Sequence, residues 1–233
     1  AQRTEIVSKP SMKYLGLDPV LTLKDSTGAD VFYYQVLAYD DELFGEAVKA
    51  VDRAIAVYPD RLDFRFLKTN AYVSYEGESP DMALANLIGL ASDYVNGAEA
   101  WTYQGNPVEE GFFEYAMQEY CASFHTLGTP SSYEAFRKLS EVMAGYYPDN
   151  MDYVVNIGSY HMSAKKDYKT ALKYYSKALK KDSDNYLAIR NACIAARRIG
   201  NVKMEKKYLL LLKEHGTESE KLQAQGRLEF LSK

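Results

Sequence analysis

The chain has 233 residues, 47% of them hydrophobic and 26% charged, with a formal net charge of −4. That balance belongs to a folded globular protein and excludes a disordered one. No apolar run reaches the ~18 residues of a bilayer-crossing helix, the longest candidate being Tyr208 to Leu212, so a helical membrane span is excluded.

Residues 1–27, with Pro10, Gly16 and Pro19, read as an extended segment laid across the first helices. Thr27 with Asp30 three residues on has the form of an N-cap box, which predicts a helix over Val31 to Leu43. In 46–58, Ala47, Val51, Ala54, Ile55 and Tyr58 recur at helical spacing, and Pro59 ends the run. Leu62 to Tyr75 gives a second stripe through Phe64, Leu67 and Ala71. Ser79-Pro80 reads as an N-cap followed by proline at the first helical position, opening Met82 to Val95. Segment 96–107 is irregular, with Asn96-Gly97, Gly105 and Asn106-Pro107 around Trp101.

Helices resume over Val108 to Leu127. Gly128-Thr129-Pro130 separates that helix from the next, which Ser131 and Glu134 are expected to cap and which runs to Tyr147. Then come Met151–Ser163, Tyr168–Lys181, Tyr186–Ile199 and Val202–His215, with Gly200 and Gly216 at C-terminal caps that favour positive φ. Thr217 with Glu220 caps a last helix carrying Leu222, Leu228 and Leu231. Apolar residues follow the helical period rather than strict alternation, so no strand pair is expected and the fold class is all-α.

Internal periodicity is the next test. Ala47 and Ala54 precede Pro59 with the same offsets by which Ala171 and Ala178 precede Ser183. Alanine at such places lets two helix axes approach closely. The helix before Ala171 contributes Val154, Ile157, Gly158 and His161. One ~34-residue period later, Ile189, Ala192, Cys193 and Ala196 take up the pattern, with Gly200-Asn201 at the turn and Glu205 in place of an alanine. These residues resemble the tetratricopeptide repeat (TPR), most clearly over 150–216 and fairly over 45–76, while the resemblance over 77–149 is architectural. It implies a right-handed α-solenoid of about five antiparallel helix pairs. The repeat domain spans 28–216 with an insertion near 96–107, and 217–233 form a C-terminal capping helix.

In such arrays the first helix of each pair lines a concave groove. The resemblance therefore implies partner binding by Asn156, Arg190, Asn191 and Arg197, whose amides and guanidinium groups suit a peptide backbone or a carboxylate. Val155, Ser159 and Ile194 stand where the family's carboxylate clamp has polar residues, a departure from that arrangement. The function expected is a protein–protein interaction module or scaffold, not an enzyme. The alternative is an exported protein that binds carbohydrate or another small ligand through Trp101 and Tyr103.

Little catalytic chemistry is legible. His125, His161 and His215 have no second ligand at helical spacing, and HExxH, Cys/His-cluster and phosphate-loop motifs are missing. Neither a metal nor another cofactor is expected. Asp40-Asp41-Glu42 and Glu109-Glu110 sit at helix ends, where solvation explains them. Cys121 and Cys193, far apart and without CxxC spacing, read as two buried thiols. Of the 21 tyrosines, those at helical spacing read mostly as core, with a minority left for ligand contacts.

Charge is unevenly spread. Thr69 to Phe136 contains no Lys or Arg but ten acidic residues, whereas Ala164 to Lys213 sets fourteen Lys/Arg against Asp167, Asp182, Asp184 and Glu205. The bland reading is two solvated helix faces; a functional one is steering of a charged partner or charge-driven self-association. The acidic first two-thirds argues against nucleic acid as partner. A start at Ala1-Gln2 without Met fits cleavage after a signal peptide, so the expected location is periplasmic or cell-surface, with cytoplasmic as the alternative.

Overall fold

The computed structural model describes residues 2–12, 14–97 and 100–232. Those residues are mostly helical, with consecutive helices packed on one another, and they form two compact units, Ala1–Ala135 and Phe136–Lys233.

The first unit opens with a sheet that the helical period did not predict. Strands β1 (Gln2–Lys9), β2 (Leu21–Lys24) and β3 (Asp30–Tyr39) pair antiparallel in the order β1-β3-β2, with Val7 opposite Tyr34 and Lys24 opposite Asp30. The helix expected over Val31 to Leu43 is thus mostly β3, and the extended N-terminal segment supplies two of its partners. The Thr27–Asp30 cap is also corrected. The Asp25 carboxylate accepts from Thr27 N, Thr27 Oγ1 and Ala29 N, and Gly28 at φ 84° completes a hairpin loop. An antiparallel sheet with one wetter face normally alternates. Here Val31 and Tyr33 are half-buried like Phe32, and only Tyr34 is fully enclosed, so both faces carry apolar side chains and no period of two shows. Tyr34 donates its hydroxyl to Ser11 O at 2.8 Å, fixing the strand to the loop before it. Ile6, Leu37, Leu21 and Leu23 remain exposed on the opposite side of the sheet.

Helix α1 (Asp41–Val57) begins where Asp40 accepts from Leu43 N at 3.0 Å. It packs on α2 (Leu62–Glu76), but no residue of α1 is buried, so Ala47 and Ala54 do not mark the close approach expected of them. With β3 in place of the preceding helix, the first repeat pair does not form. α3 (Asp81–Asn96) starts at Pro80 rather than Ser79, without a side-chain bond from the cap residue. Its free N–H groups are met by Glu76, whose carboxylate accepts from Met82 N and Ala83 N. Burial pushes that carboxyl above its ordinary value despite these bonds.

Within the 96–107 insertion, residues 98 and 99 lie outside the described residues. Beyond them, β4 (Thr102–Tyr103) and β5 (Asn106–Pro107) make a minimal hairpin. α4 (Phe112–Leu127) follows and ends at Gly128, left-handed at φ 71°. α5 (Pro130–Tyr146) is capped by a reciprocal pair, Ser132 N donating to Thr129 Oγ1 and Thr129 N to Ser132 Oγ, two residues before the box read at Ser131 and Glu134. The division between the two units falls within α5. The first unit's core centres on Leu62, Phe66, Leu87, Phe113, Met117 and Phe124.

The second unit is regular. α6 (Met151–Ser163), α7 (Tyr168–Lys181), α8 (Tyr186–Arg198), α9 (Val202–His215) and α10 (Glu218–Phe230) each pack on the next. Each is opened by a side chain that takes a backbone N–H: Asn150, Asp167, Asn185, Asn201 and Thr217 in turn, the last in a full capping box with Glu220. Such caps decide where each helix starts. At Gly158 the α6–α7 contact is closest, since a Cβ there would lie 2.7 Å from the Tyr175 ring and 3.0 Å from Tyr174 Cβ. Ala171, Ala178, Ala188, Ala192, Ala195 and Ala196 are all fully buried along these seams. Gly200 adopts φ 68° as its turn requires, whereas Gly216 at φ −76° does not use the left-handed region.

Hydrogen bonds repeat with the helices. Asn185 Nδ2 to Asp152 spans 33 positions, Asn191 Nδ2 to Ser159 32, the Ser176–Tyr208 hydroxyl pair 32, Lys181 to Asp149 32 and Tyr186 to Glu220 34. Each ties a residue to its counterpart about one helix pair away.

Candidate functional site

The four residues expected at a groove are divided between two places. Asn156 is buried, 6% exposed, so it does not stand on an open groove wall. The reason lies in α6, where Tyr153 through Tyr160 are all buried and no polar stripe is left outside. Asn191 is half-buried and spends its amide on Ser159 Oγ at 3.1 Å; that hydroxyl in turn donates to Val155 O and lies 3.3 Å from the Tyr175 hydroxyl. Burial pushes the Tyr175 phenol up to about 12, so this buried network stays neutral and structural.

Arg190 and Arg197 are brought together with Ile194 on one face of α8, at positions i, i+7 and i+4. They line a cleft of about 400 Å³ whose other walls are Leu209 and Leu212 of α9 and Glu220, Gln223, Ala224 and Arg227 of α10. At its edge Glu205, only 2% exposed, accepts from Arg197 Nε at 2.7 Å and from Arg227 Nε at 2.8 Å and Nη2 at 3.3 Å. Burial alone would raise this carboxyl, but the hydrogen bonds and charges of Arg227 and Arg197 outweigh it and hold it below its ordinary value. Glu205, which interrupts the alanine pattern of the repeat, is thereby explained. It anchors two guanidinium groups from the helices that pack on either side of α9, and Arg197 has no further partner for its Nη groups among the described residues. Arg190 pairs loosely with Glu220 at 3.3 Å, and its side chain is half exposed. Ile194 is 39% exposed between the two arginines. The cleft combines an apolar floor with a basic rim.

In the first unit, Trp101 and Tyr103 also go separate ways. Trp101 is half-buried against Tyr94, with ring centroids 5.5 Å apart and the Arg65 guanidinium 5.9 Å over its ring; Tyr94 stacks on Phe113 at 3.8 Å. Its indole N–H is enclosed without an acceptor among the described residues. Trp101 is therefore a packing anchor beside Tyr94. Tyr103 lines a second cleft, of about 440 Å³, between α2 and α4. The hairpin that carries it is pinned by Thr102 N to Asp60 O at 2.9 Å and Gln104 N to Asp63 at 3.3 Å, while Asp63 is held by both Arg61 Nε and Nη2.

No protein-family model matches this sequence, and no curated protein is similar to it. The geometry of the clefts therefore carries the functional reading.

The second cleft is walled by Phe66, Tyr103, Phe112, Tyr115 and Tyr120, with Asn70, Glu119 and Ser123 as its polar groups. Sequence reading found only Tyr103. Phe112, Tyr115, Glu119 and Ser123 recur at helical spacing, but an aromatic stripe of that kind reads first as core. Elsewhere the lysines of 165–181 are all exposed, and Lys169, Lys173, Lys177 and Lys180 rim a shallow groove over Leu172, Ile199 and Met204. Cys121 and Cys193 are buried and not disulfide-bonded. Among the described residues, no group of three or more His, Cys, Asp and Glu is placed to hold a metal ion, and no helix is long and apolar enough to cross a membrane.

Proposed function

We propose that this chain is a non-catalytic protein–protein interaction module whose second unit is a right-handed solenoid of the tetratricopeptide type. It docks an acidic segment of a partner in the α8–α10 cleft. The one-period hydrogen bonds and the Gly158 contact support the repeat reading. The cleft supports the binding reading, and one observation carries it: buried Glu205 of α9 fixes Arg197 of α8 and Arg227 of α10, beside an exposed Ile194 and a half-exposed Arg190. Guanidinium groups already held in place lose little freedom on pairing with a carboxylate, which favours Arg over mobile lysines for such recognition. The apolar floor of Leu209 and Leu212 accepts a hydrophobic side chain between the charges.

The test is a displayed peptide library of mixed charge selected against the full chain. Acidic sequences with an apolar residue should be enriched and bind saturably. The double variant Arg190→Glu, Ile194→Glu changes only exposed side chains, and should lower their affinity by about tenfold or more with an unchanged melting temperature. Equal affinity for the variant, or selection of basic sequences, would sink the reading.

A further inference from the structure

Five aromatic side chains and one carboxylate meet in the α2–α4 cleft of the first unit, and their packing does not use them up. Phe66 is 8% exposed and forms the floor, with its ring 5.7 Å from Tyr120 and 6.4 Å from Tyr103; Tyr103 in turn is 4.9 Å from Phe112. These rings surround an open space rather than fill it. Tyr115 is 65% exposed and its side chain makes no ring contact or hydrogen bond among the described residues. Glu119 lines the same cleft, is exposed, and has no ion-pair or hydrogen-bond partner among them. An exposed tyrosine and a carboxylate without a partner among the described residues thus share one aromatic wall, where both can contact a ligand.

The charge of the ligand follows from what the lining lacks. Among the described residues Glu119 is the one acidic side chain in it, and no Lys or Arg stands in the lining. The α3–α4 region of sequence is equally one-sided, without a Lys or Arg from Thr69 to Phe136. An anion would find no counter-charge there. Aromatic faces present negative charge density, and a cation enclosed by several of them gains both from the rings and from a nearby carboxylate. Tyr120 stays a neutral wall: burial pushes its phenol far above the ordinary range, and its hydroxyl donates to Asn70 Oδ1 at 2.9 Å.

We infer that this cleft binds an organic cation, an alkylammonium or guanidinium group, among Tyr103, Phe112 and Tyr115 with Glu119 as its counter-ion. The site belongs wholly to the first unit and is independent of the acidic-segment cleft of the second. The same chemistry is offered by a free quaternary ammonium compound and by an arginine side chain in a peptide, and separate titrants distinguish them.

The experiment is a calorimetric and NMR titration of the full chain with tetramethylammonium chloride, with N-acetylarginine amide, and with the neutral disaccharide cellobiose. At least one cation should bind saturably and shift resonances of Tyr103, Tyr115 and Glu119, and the tighter of the two names the source. Tyr115→Ala should weaken that binding by roughly threefold to thirtyfold, the range expected of one cation–π contact. Glu119→Gln should weaken it by a similar factor and remove most of its salt dependence. Both positions are exposed, so circular dichroism should stay unchanged in both variants. Saturable binding of cellobiose in preference to both cations would make this a sugar site and overturn the inference. So would cation binding that neither substitution weakens, or the absence of saturable cation binding.

Discussion

The two units differ first in charge. Residues 1–135 hold 9 Lys/Arg against 21 Asp/Glu, and residues 136–233 hold 19 against 11. They differ equally in construction. The second unit repeats one device, an Asn, Asp or Thr cap, a buried alanine seam and a hydrogen bond to a residue about one helix pair away. The first joins a three-stranded sheet, helices without a common period and a short hairpin. The contrast shows what repetition does for a fold. Where every helix pair uses the same contacts, local and long-range preferences agree; where they do not, single aromatic anchors hold unlike elements together.

That difference can be broken by substitution, and the largest effect belongs to an anchor. Phe113 is 1% exposed and stacked on Tyr94, which packs on Trp101. Phe113→Ala should cost about 4 kcal/mol in denaturant unfolding and shift the fluorescence of the single tryptophan. In the repeat unit, Gly158→Val should cost about 3 kcal/mol, because its Cβ meets the Tyr175 ring before either helix can move aside. If Gly158→Val melts at the wild-type temperature, the close α6–α7 contact is wrong.

Glu205→Gln comes next. It keeps the shape but removes the charge that orders Arg197 and Arg227, and should cost about 2 kcal/mol at neutral pH, less than a fully buried pair because the arginines reach solvent. The carboxyl titrates below its ordinary value of 4.5 when folded. Its contribution is therefore complete above about 4.5 and is lost as pH falls through the lowered value. An acid melting series on wild type and Glu205→Gln should show the difference between them closing as pH drops. Thr129→Ala is the smallest, about 1 kcal/mol for the α5 cap, read as a small drop in melting temperature.

These contrasts also mark how far the sequence was legible. Met151–Ser163, Tyr168–Lys181 and Val202–His215 match their helices end to end because caps and apolar stripes point to the same boundaries. β3 was misread because Phe32, Tyr33 and Tyr34 place apolar groups on both faces, which hides alternation, and because Thr27 and Asp30 imitate a cap. The clefts were half visible. Arg190 and Arg197 line one cleft, whereas Asn156 is buried, and a single helix's polarity cannot show that its neighbours enclose it on nearly all sides. Glu205 stood out as a departure from the repeat; that it pairs with Arg227, 22 positions away, is a tertiary fact. The aromatic cleft was concealed in the same way, since Phe66 and Tyr120 meet only through the packing of α2 near α4.

The central claim is that the two units present clefts for opposite charges, and one measurement tests it most directly. Backbone and side-chain resonances of the full chain are followed while an acidic peptide, and then an arginine peptide of equal length, is titrated in. The acidic peptide should shift Arg190, Ile194 and Arg197, and the arginine peptide Tyr103, Tyr115 and Glu119, each leaving the other set unmoved. Both peptides shifting the same residues, or neither shifting either set, would contradict the account.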